Sequence, residues 1–170
     1  MIKKRLSLDE ETFLSYSDAI ASHLSHFSPF KQAQKIGFYI SYRHEADTRR
    51  LIEHYQSLKE IYVPKCVGEE LDFQRIFSFE DLEEGAFHIL EPTTNIHIDV
   101  KDLDVIIVPL LMFDKHHNRI GYGKGFYDRA LKNTNAITIG LAFDFQEVED
   151  THPHPLDVPL DYIITQKGVL

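Results

Sequence analysis

The chain is poor in cysteine and has no surplus of basic residues, and both shortages restrict what it can be. Its 170 residues include one cysteine, Cys66, so no disulfide can form within the chain. Because disulfides are rare in reducing compartments, we expect a cytoplasmic protein. The 18 Lys and Arg residues are outnumbered by 27 Asp and Glu residues, which gives a formal net charge of −9. This balance argues against nucleic acid as a partner.

Long hydrophobic runs are also missing. No apolar run approaches the ~20 residues that a membrane-spanning helix needs. The start of the chain, residues 1–7, lacks the apolar stretch of a signal peptide. We therefore expect no membrane partner. The length and the hydrophobic content of 43% fit one globular domain over residues 1–170, and we expect a monomer.

Glycine is concentrated in the stretch 119–129. Three glycines alternate there with other residues, and a lysine lies between the last two: Gly121, Gly123, Lys124 and Gly125. Glycine lets backbone N–H groups approach a phosphate closely, and the start of a following helix favours negative charge. A P-loop would place Ser or Thr at position 125, and a dinucleotide fingerprint would place Gly at position 126. The pattern therefore predicts an anion-binding loop of neither common type, with a flexible surface turn as the alternative.

The charge distribution supports the same interpretation. Residues 112–132 contain five Lys or Arg and two Asp, whereas residues 144–161 contain six Asp or Glu and no Lys or Arg. A basic loop in an acidic protein suggests a specific anionic ligand, although chance clustering gives the same contrast. The ten histidines are densest at residues 116–117 and 152–154, without Cys or acid partners at a zinc-binding spacing. We interpret them as loop residues.

Strand-like and helix-like segments alternate along the chain. One amphipathic helix is predicted to begin at a capping box of Ser7 and Glu10 and to end at Pro29, a second to be capped by Asp47, and a third to cover 126–131. Strands are predicted over 35–41, 61–63 (ended by Pro64), 71–77, 104–113, 136–143 and 162–165, with a turn at 90–93. This alternation predicts an α/β fold of three layers, in which a largely parallel sheet is covered by helices on both faces.

Several of these segments together resemble one family. Residues 113–129 match a pattern of Phe-Asp followed by Arg-Leu-Gly-x-Gly-x-Gly-Tyr/Phe-Tyr-Asp. Further matches occur in the order in which the family has them, at 39–41, Glu45, 47–48, 63–64, 89–92, 104–109, 157–161 and 163–164. Over nearly its whole length the chain resembles the 5-formyltetrahydrofolate cyclo-ligases, which are also called methenyltetrahydrofolate synthetases.

The resemblance implies an ATP-dependent ring closure. ATP would be the co-substrate, and 5-formyltetrahydrofolate would become 5,10-methenyltetrahydrofolate with release of ADP and phosphate. The formyl oxygen would attack the γ-phosphate, and N10 would then close on the activated carbon. Since the substrate supplies both nucleophiles, the protein has mainly to position groups and stabilise charge. The alternative is a non-catalytic folate- or nucleotide-binding protein of the same fold.

The resemblance also implies roles for individual residues. Lys124 and Asp128 would be catalytic, and Asp128 and Asp157 would hold Mg²⁺. The ATP site would comprise Arg119, Ile120, Gly121, Tyr122, Gly123, Lys124, Gly125, Phe126 and Tyr127. The folate would contact Ile40, Glu45, Tyr122, Gly123, Lys124, Gly125 and Phe126. The structural alternatives are a solvated surface lysine for Lys124, a helix-start acid for Asp128, a loop cap for Asp157, a solvated acid for Glu45 and core positions for the aromatic rings.

The chain departs from the family pattern at several places. Many members begin with a longer basic segment, for which Lys3, Lys4 or Arg5 would have to substitute here. His117 replaces a common glycine, Tyr122 replaces a frequent arginine, and Leu156 replaces a common histidine before Asp157. We expect the first of these differences to affect ATP affinity more than the fold.

Overall fold

The most apolar segment of the chain, Val105–Val108, forms a strand near the middle of one large sheet. The computed structural model describes residues 1–170. The helices are α1 (Ile2–Leu6), α2 (Glu10–His26), α3 (Ser28–Gln32), α4 (Arg49–Tyr55) and α5 (Phe126–Lys132). The strands are β1 (Lys35–Gly37), β2 (Glu60–Val67), β3 (Glu70–Ile76), β4 (Leu82–Glu84), β5 (Leu90–Pro92), β6 (His97–Ile98), β7 (Val105–Val108), β8 (Met112–Phe113), β9 (Arg119–Ile120), β10 (Ile137–Leu141), β11 (Tyr162–Thr165) and β12 (Gly168–Val169). Short 3-10 turns lie at Phe79–Asp81, Ala86–His88, Val100–Asp102 and Asp144–Gln146.

Eight of these strands form the main sheet, in the order β12-β11-β10-β7-β1-β2-β3-β6. The five central strands are parallel, and β3, β6 and β12 are antiparallel to their neighbours. From β1 the chain builds one half of the sheet, and from β7 it builds the other half. The order of the strands therefore reverses between β1 and β7, where open α/β sheets bind their ligands.

Both faces of the sheet are buried. Successive side chains of β7 point to opposite faces: Val105 and Ile107 belong to a cluster of 20 buried residues that includes Leu24 of α2, and Ile106 and Val108 belong to a cluster of 12. The second cluster includes Leu131 of α5. The predicted α/β fold, with helices on both faces of a largely parallel sheet, is thus confirmed. None of the helices is both long and apolar enough to cross a membrane.

The first helix differs from the prediction at both ends. Ser7 does not begin a helix but ends α1, and its hydroxyl donates a 2.7 Å hydrogen bond to the carbonyl of Lys4. The N-cap of α2 is Asp9, which accepts a hydrogen bond from the N–H of Thr12. The predicted capping box at Ser7 is therefore wrong. The predicted end at Pro29 is also wrong, because α2 ends at His26. Pro29 lies in the first turn of α3, where a missing N–H costs nothing.

Three predictions are wrong because pairing with distant strands decides where a strand begins and ends. Pro64 does not end its strand, since β2 continues to Val67. Beyond Tyr62 the strand pairs only with β3, so one side of it has no ladder for the proline to interrupt. The turn predicted at 90–93 instead contains β5, which pairs with β4. The first strand is shorter than predicted, because regular pairing ends at Gly37 although residues 38–41 stay buried.

Candidate active site

The candidate site lies at the carboxyl ends of the adjacent parallel strands β1 and β7. One loop, residues 38–48, follows β1, and a second segment, residues 109–125, follows β7. Because parallel strands end at the same edge of a sheet, the two segments emerge side by side at the point where the strand order reverses. Every residue assigned to a ligand belongs to one of these segments or to the start of α5, with the exception of Asp157.

The loop after β1 folds back on itself and buries an acid. The hydroxyl of Thr48 accepts from the N–H of Ser41 at 2.9 Å and donates to the carbonyl of Tyr39 at 2.7 Å. Arg43 and His44 adopt positive φ angles of 50° and 54°, a region that non-glycine residues rarely occupy. These turns bring Glu45 inward, where it is 8% exposed.

Ile40 and Glu45 lie in the same loop, as the assignment to the folate requires. Ile40 is 6% exposed. Oε1 of Glu45 accepts a 2.9 Å hydrogen bond from the backbone N–H of Tyr42. Glu45 is therefore a buried, hydrogen-bonded carboxylate at the strand edge, and the alternative of a solvated loop acid is wrong.

Glycine is favoured at three positions of the second segment for two different physical reasons. Gly123 and Gly125 adopt φ angles of +85° and +72°, which favour glycine. At Gly121 a Cβ atom would lie 2.5 Å from Nη1 of Arg119, so any larger residue would have to displace this guanidinium. Backbone conformation thus accounts for glycine at 123 and 125, and the neighbouring guanidinium accounts for it at 121.

Tyr122 joins the glycine loop to the loop after β1. Its hydroxyl donates a 3.3 Å hydrogen bond to Oε2 of Glu45 and accepts a 3.0 Å hydrogen bond from Nη1 of Arg5. Arg5 is 1% exposed, although it lies in a short terminal helix. From the sequence, Arg5 is only one of three basic residues at the start of the chain, and its local pattern does not distinguish it from Lys3 or Lys4. In the structure those two lysines are exposed.

The ionisation of these groups is strongly shifted by burial. Burial raises the pKa of Glu45 to about 7, against the opposing effects of the Arg5 charge, the Tyr42 N–H and the Tyr122 hydroxyl. Burial, reinforced by the negative charge of Glu45, raises the pKa of Tyr122 to about 12. A pKa this close to neutrality is common among functional carboxyls.

A second buried arginine lies at the entrance of the glycine loop. Arg119 is 8% exposed, its Nη2 is 3.6 Å from Oδ1 of Asp128, and its guanidinium lies 5.6 Å from the ring centre of Tyr127. Burial lowers the pKa of Arg119, whereas the charges of Asp128 and Asp157 oppose that shift. The N–H of Val158 donates to Oδ1 of Asp128 at 3.2 Å, which fixes the acidic loop beside the start of α5.

Lys124 is the free cation of the loop. Its side chain forms no hydrogen bond or ion pair, and its ammonium lies 5.9 Å from the ring centre of Phe87, which is 75% exposed. Arg129 instead supports the loop, because its Nη2 donates a 3.0 Å hydrogen bond to the carbonyl of Lys124 and its Nε donates to the carbonyl of Glu69. Lys124 can therefore reach an anion without breaking an existing contact.

Two carboxylates could take part in holding a divalent cation. Oδ1 of Asp128 accepts from Val158, and Oδ2 of Asp157 accepts a 2.8 Å hydrogen bond from the N–H of His154, so each acid keeps one oxygen without a hydrogen bond. Mg²⁺ is commonly held by one or two carboxylates together with phosphate oxygens and water. The donor set fits that role, although no group of three or more His, Cys, Asp or Glu residues is placed to hold a metal ion without other ligands.

The remaining motif residues have structural roles. Burial by itself would raise the pKa of Asp114, but hydrogen bonds from Thr151, His116 and Asn118 bring it to about 2. Asp114 thereby fixes the turn between β8 and β9. His117 adopts a φ of +64° in that turn, a conformation that glycine enters more readily than histidine.

The fold and this geometry define an α/β protein in which a glycine-rich loop lies beside a buried carboxylate. Comparisons with known proteins specify the class further. A sequence model of the 5-formyltetrahydrofolate cyclo-ligase family matches residues 1–166. The chain therefore belongs to the 5-formyltetrahydrofolate cyclo-ligase family, a family of enzymes that act as ligases in folate one-carbon metabolism.

Individual relatives and structures agree with this result. The chain is 33% identical over 151 residues to the 5-formyltetrahydrofolate cyclo-ligase of Haemophilus influenzae, covering 84% of this chain and 81% of that protein. It is 29% identical over 176 residues to the Escherichia coli protein of the same name, covering 98% and 97%. The solution structure of Aquifex aeolicus 5,10-methenyltetrahydrofolate synthetase superimposes with a TM-score of 0.90 at 34% identity, over 99% of this chain and 87% of that one.

Proposed function

We propose that this protein catalyses the ATP- and Mg²⁺-dependent cyclisation of 5-formyltetrahydrofolate to 5,10-methenyltetrahydrofolate, with release of ADP and phosphate. The observation that carries the proposal is the hydrogen bond between Tyr122 and Glu45. It places the glycine loop, suited to phosphates, directly beside a buried carboxylate suited to the N–H groups of a pterin. A formyl group on a folate bound at Glu45 would therefore lie close to a nucleotide bound at the loop.

The reaction requires no protein nucleophile. The formyl oxygen attacks the γ-phosphorus of ATP, its bond to the β-phosphate oxygen breaks, and ADP leaves. N10 then attacks the formyl carbon, the carbon–oxygen bond to the phosphate breaks, and N10 loses its proton. Both nucleophiles belong to the folate, so the protein has to align the two substrates and stabilise phosphoryl charge.

The phosphates of ATP would be bound by the glycine loop and two cations. Because residues 121, 123 and 125 are glycines, no Cβ atom shields their N–H groups from a phosphate. The ammonium of Lys124 is free to pair with phosphate oxygens. Arg119 contributes a fixed positive charge at the loop entrance. Ile120, Phe126 and Tyr127 flank this loop in the chain and would complete the walls of the ATP site.

The metal ion would be held by Asp128 and Asp157. Bound there with phosphate oxygens, Mg²⁺ would supply charge neutralisation to the triphosphate. Arg119 lies against Asp128, and this contact would keep the carboxylate oriented before the nucleotide arrives. The folate would contact Ile40, Glu45, Tyr122 and Phe126.

The proposal is tested by mixing the protein with ATP, Mg²⁺ and 5-formyltetrahydrofolate and following the near-ultraviolet absorbance of the methenyl product. We expect an increase that requires both ATP and Mg²⁺. The variant Glu45→Gln should raise the KM for the folate at least about tenfold, since a charge-assisted hydrogen bond contributes roughly 1.5–3 kcal/mol. The matched control Glu53→Gln changes an exposed acid of α4 and should behave as the wild type. Binding of both ligands without any ATP-dependent increase would instead support a non-catalytic folate- or nucleotide-binding protein.

A further inference from the structure

A buried arginine lies next to the carboxylate that we assign to the folate. Arg5 is 1% exposed, in contrast to Lys3 and Lys4 of the same helix. Its Nη1 donates to the Tyr122 hydroxyl at 3.0 Å, and that hydroxyl donates to Oε2 of Glu45 at 3.3 Å. A single hydroxyl thus connects a buried cation to a buried anion.

Little else in the protein satisfies this guanidinium. Its Nε and Nη2 have no hydrogen-bond partner, and it forms no direct ion pair. A buried charge without compensation is costly. Its charge nevertheless acts on Glu45, where it opposes the effect of burial. The cation and the anion therefore stabilise each other through Tyr122 without touching.

The backbone around Arg5 fixes this arrangement. The carbonyl of Arg5 lies 3.2 Å from Nδ1 of His44, and the His44 ring stacks on Phe13 of α2 with their centres 4.5 Å apart. The terminal helix α1 is thereby held against the loop that carries Glu45. This contact explains why Arg5, which lies on a helix of only five residues, can be held in the interior.

We propose that Arg5 is a positioning residue for Glu45, which acts through the Tyr122 hydroxyl to keep the carboxylate ionised and oriented toward the pterin N–H groups. The inference rests on the proposed function, because it takes Glu45 as the folate ligand. It assigns to Arg5 an effect on folate binding and on the pH at which binding develops. It assigns to Arg5 no contact with ATP.

Other ionisable groups also face Glu45, and the experiment has to separate them from Arg5. They are Tyr39 at the end of β1, His44 in the same loop, Tyr122 in the glycine loop and Tyr127 on α5. Burial raises the pKa of Tyr39 and of Tyr127, and that of Tyr122 is raised to about 12, so these phenols stay neutral between about pH 5 and 9. The probe must therefore report the Glu45 carboxyl itself and not the charge of a neighbouring group.

The test is a carbon-13 NMR titration of the Glu45 side-chain carboxyl in the ligand-free protein, assigned with Glu45→Gln. In Arg5→Met the midpoint should increase by about one pH unit, the usual effect of removing an opposite charge at this range. In Lys3→Met, which removes an exposed charge from the same helix, the midpoint should not move. An unchanged midpoint in folded Arg5→Met would overturn the inference.

Kinetics provide a second readout that a purely structural role would not change. The wild-type kcat/KM for the folate should rise with pH as Glu45 ionises. In Arg5→Met it should be about fivefold lower near pH 7 and recover toward pH 9, with the KM for ATP within about twofold of the wild type. A loss that is equal at every pH would contradict the proposal.

A third variant keeps the test decisive if Arg5→Met does not fold. Arg5→Gln removes the charge and retains an amide N–H that can donate to the Tyr122 hydroxyl, so the Glu45 midpoint should again increase, and it should not if Arg5 and Glu45 are independent. The NMR titration needs no turnover. A wild-type protein that forms no methenyl product would refute the proposed function, whereas an unmoved midpoint would refute this inference alone.

Discussion

The Tyr122 hydroxyl lies 3.3 Å from Oε2 of Glu45 and donates a hydrogen bond to it. Tyr122 belongs to the glycine loop that follows β9, and Glu45 belongs to the loop that follows β1. Oε1 of the same carboxylate accepts from the N–H of Tyr42, so the two bonds fix its orientation. Each carboxylate oxygen keeps a second lone pair, which the folate that we propose to bind at Glu45 would use.

Glu45 should make the stability of the ligand-free protein decrease as pH rises. Its pKa is raised from 4.5 in the unfolded chain to about 7 in the folded protein, so the folded protein binds the proton more tightly. Relative to Glu45→Gln, the wild type should lose about 3 kcal/mol of unfolding free energy between about pH 4 and pH 8, with the loss spread over the interval between the two pKa values.

Denaturant unfolding of both proteins across this pH range measures the difference. Because the substitution also changes the surroundings of Arg5, the prediction concerns the slope of the difference with pH and not its value at one pH. Two parallel curves would show that the Glu45 carboxyl ionises as freely in the folded protein as in the unfolded chain.

Lys124→Ala should weaken ATP binding without affecting the fold. The side chain makes no hydrogen bond or ion pair, and only a distant contact with the Phe87 ring. We expect the KM for ATP to increase about tenfold, turnover to fall, and the melting temperature to stay within about 2 °C of the wild type, as for surface substitutions in general. Lys132→Ala, which removes an exposed charge from the other end of α5, should leave the KM for ATP unchanged.

Asp128→Asn should lower turnover by at least about a hundredfold and weaken the dependence on Mg²⁺. The amide oxygen can still accept the hydrogen bond from Val158 that Asp128 accepts at 3.2 Å, so the loop stays in place while the negative charge is lost. The measurement is kcat as a function of Mg²⁺ concentration for this variant and for the control Asp102→Asn, which changes an exposed acid far from the loop in sequence. The control shows whether the loss is specific to Asp128 or follows from removing any negative charge. Wild-type kinetics in Asp128→Asn would remove the residue from the metal site.

The sequence predicted those parts of the fold that depend on local patterns. The apolar runs that became β7, β10 and β11 are buried in the sheet, and the helix after the glycine loop begins at Phe126 as predicted. The errors arose where a distant partner decides the outcome. Pro64 stays in a strand only because β3 pairs with it, and Ser7 ends one helix where it was predicted to begin another.

The same limit applies to the candidate site. The glycines and Glu45 could be found because residue type and order carry their signal. The contact between Arg5 and Tyr122 joins residues separated by 117 positions, and no local pattern predicts that one of three basic residues turns inward. The replacement of a frequent arginine by Tyr122 does not indicate which residues the tyrosine contacts. In the structure its side chain points to Glu45, which only the fold could reveal.

Two glycine substitutions should separate the two reasons for glycine in the loop. Gly123→Ala meets no atom within 4 Å but must adopt a φ of +85°, so it should cost about 1 kcal/mol of unfolding free energy. Gly121→Ala needs no unusual φ, but its Cβ would lie 2.5 Å from Nη1 of Arg119. Since Arg119 ends in a flexible side chain, the clash should cost little stability and should move the guanidinium away from Asp128, with which it pairs at 3.6 Å. We therefore expect Gly121→Ala to unfold at nearly the wild-type denaturant concentration and to lose about tenfold in kcat/KM for ATP. Wild-type ATP kinetics in Gly121→Ala would show that the position of Arg119 has no part in binding the nucleotide.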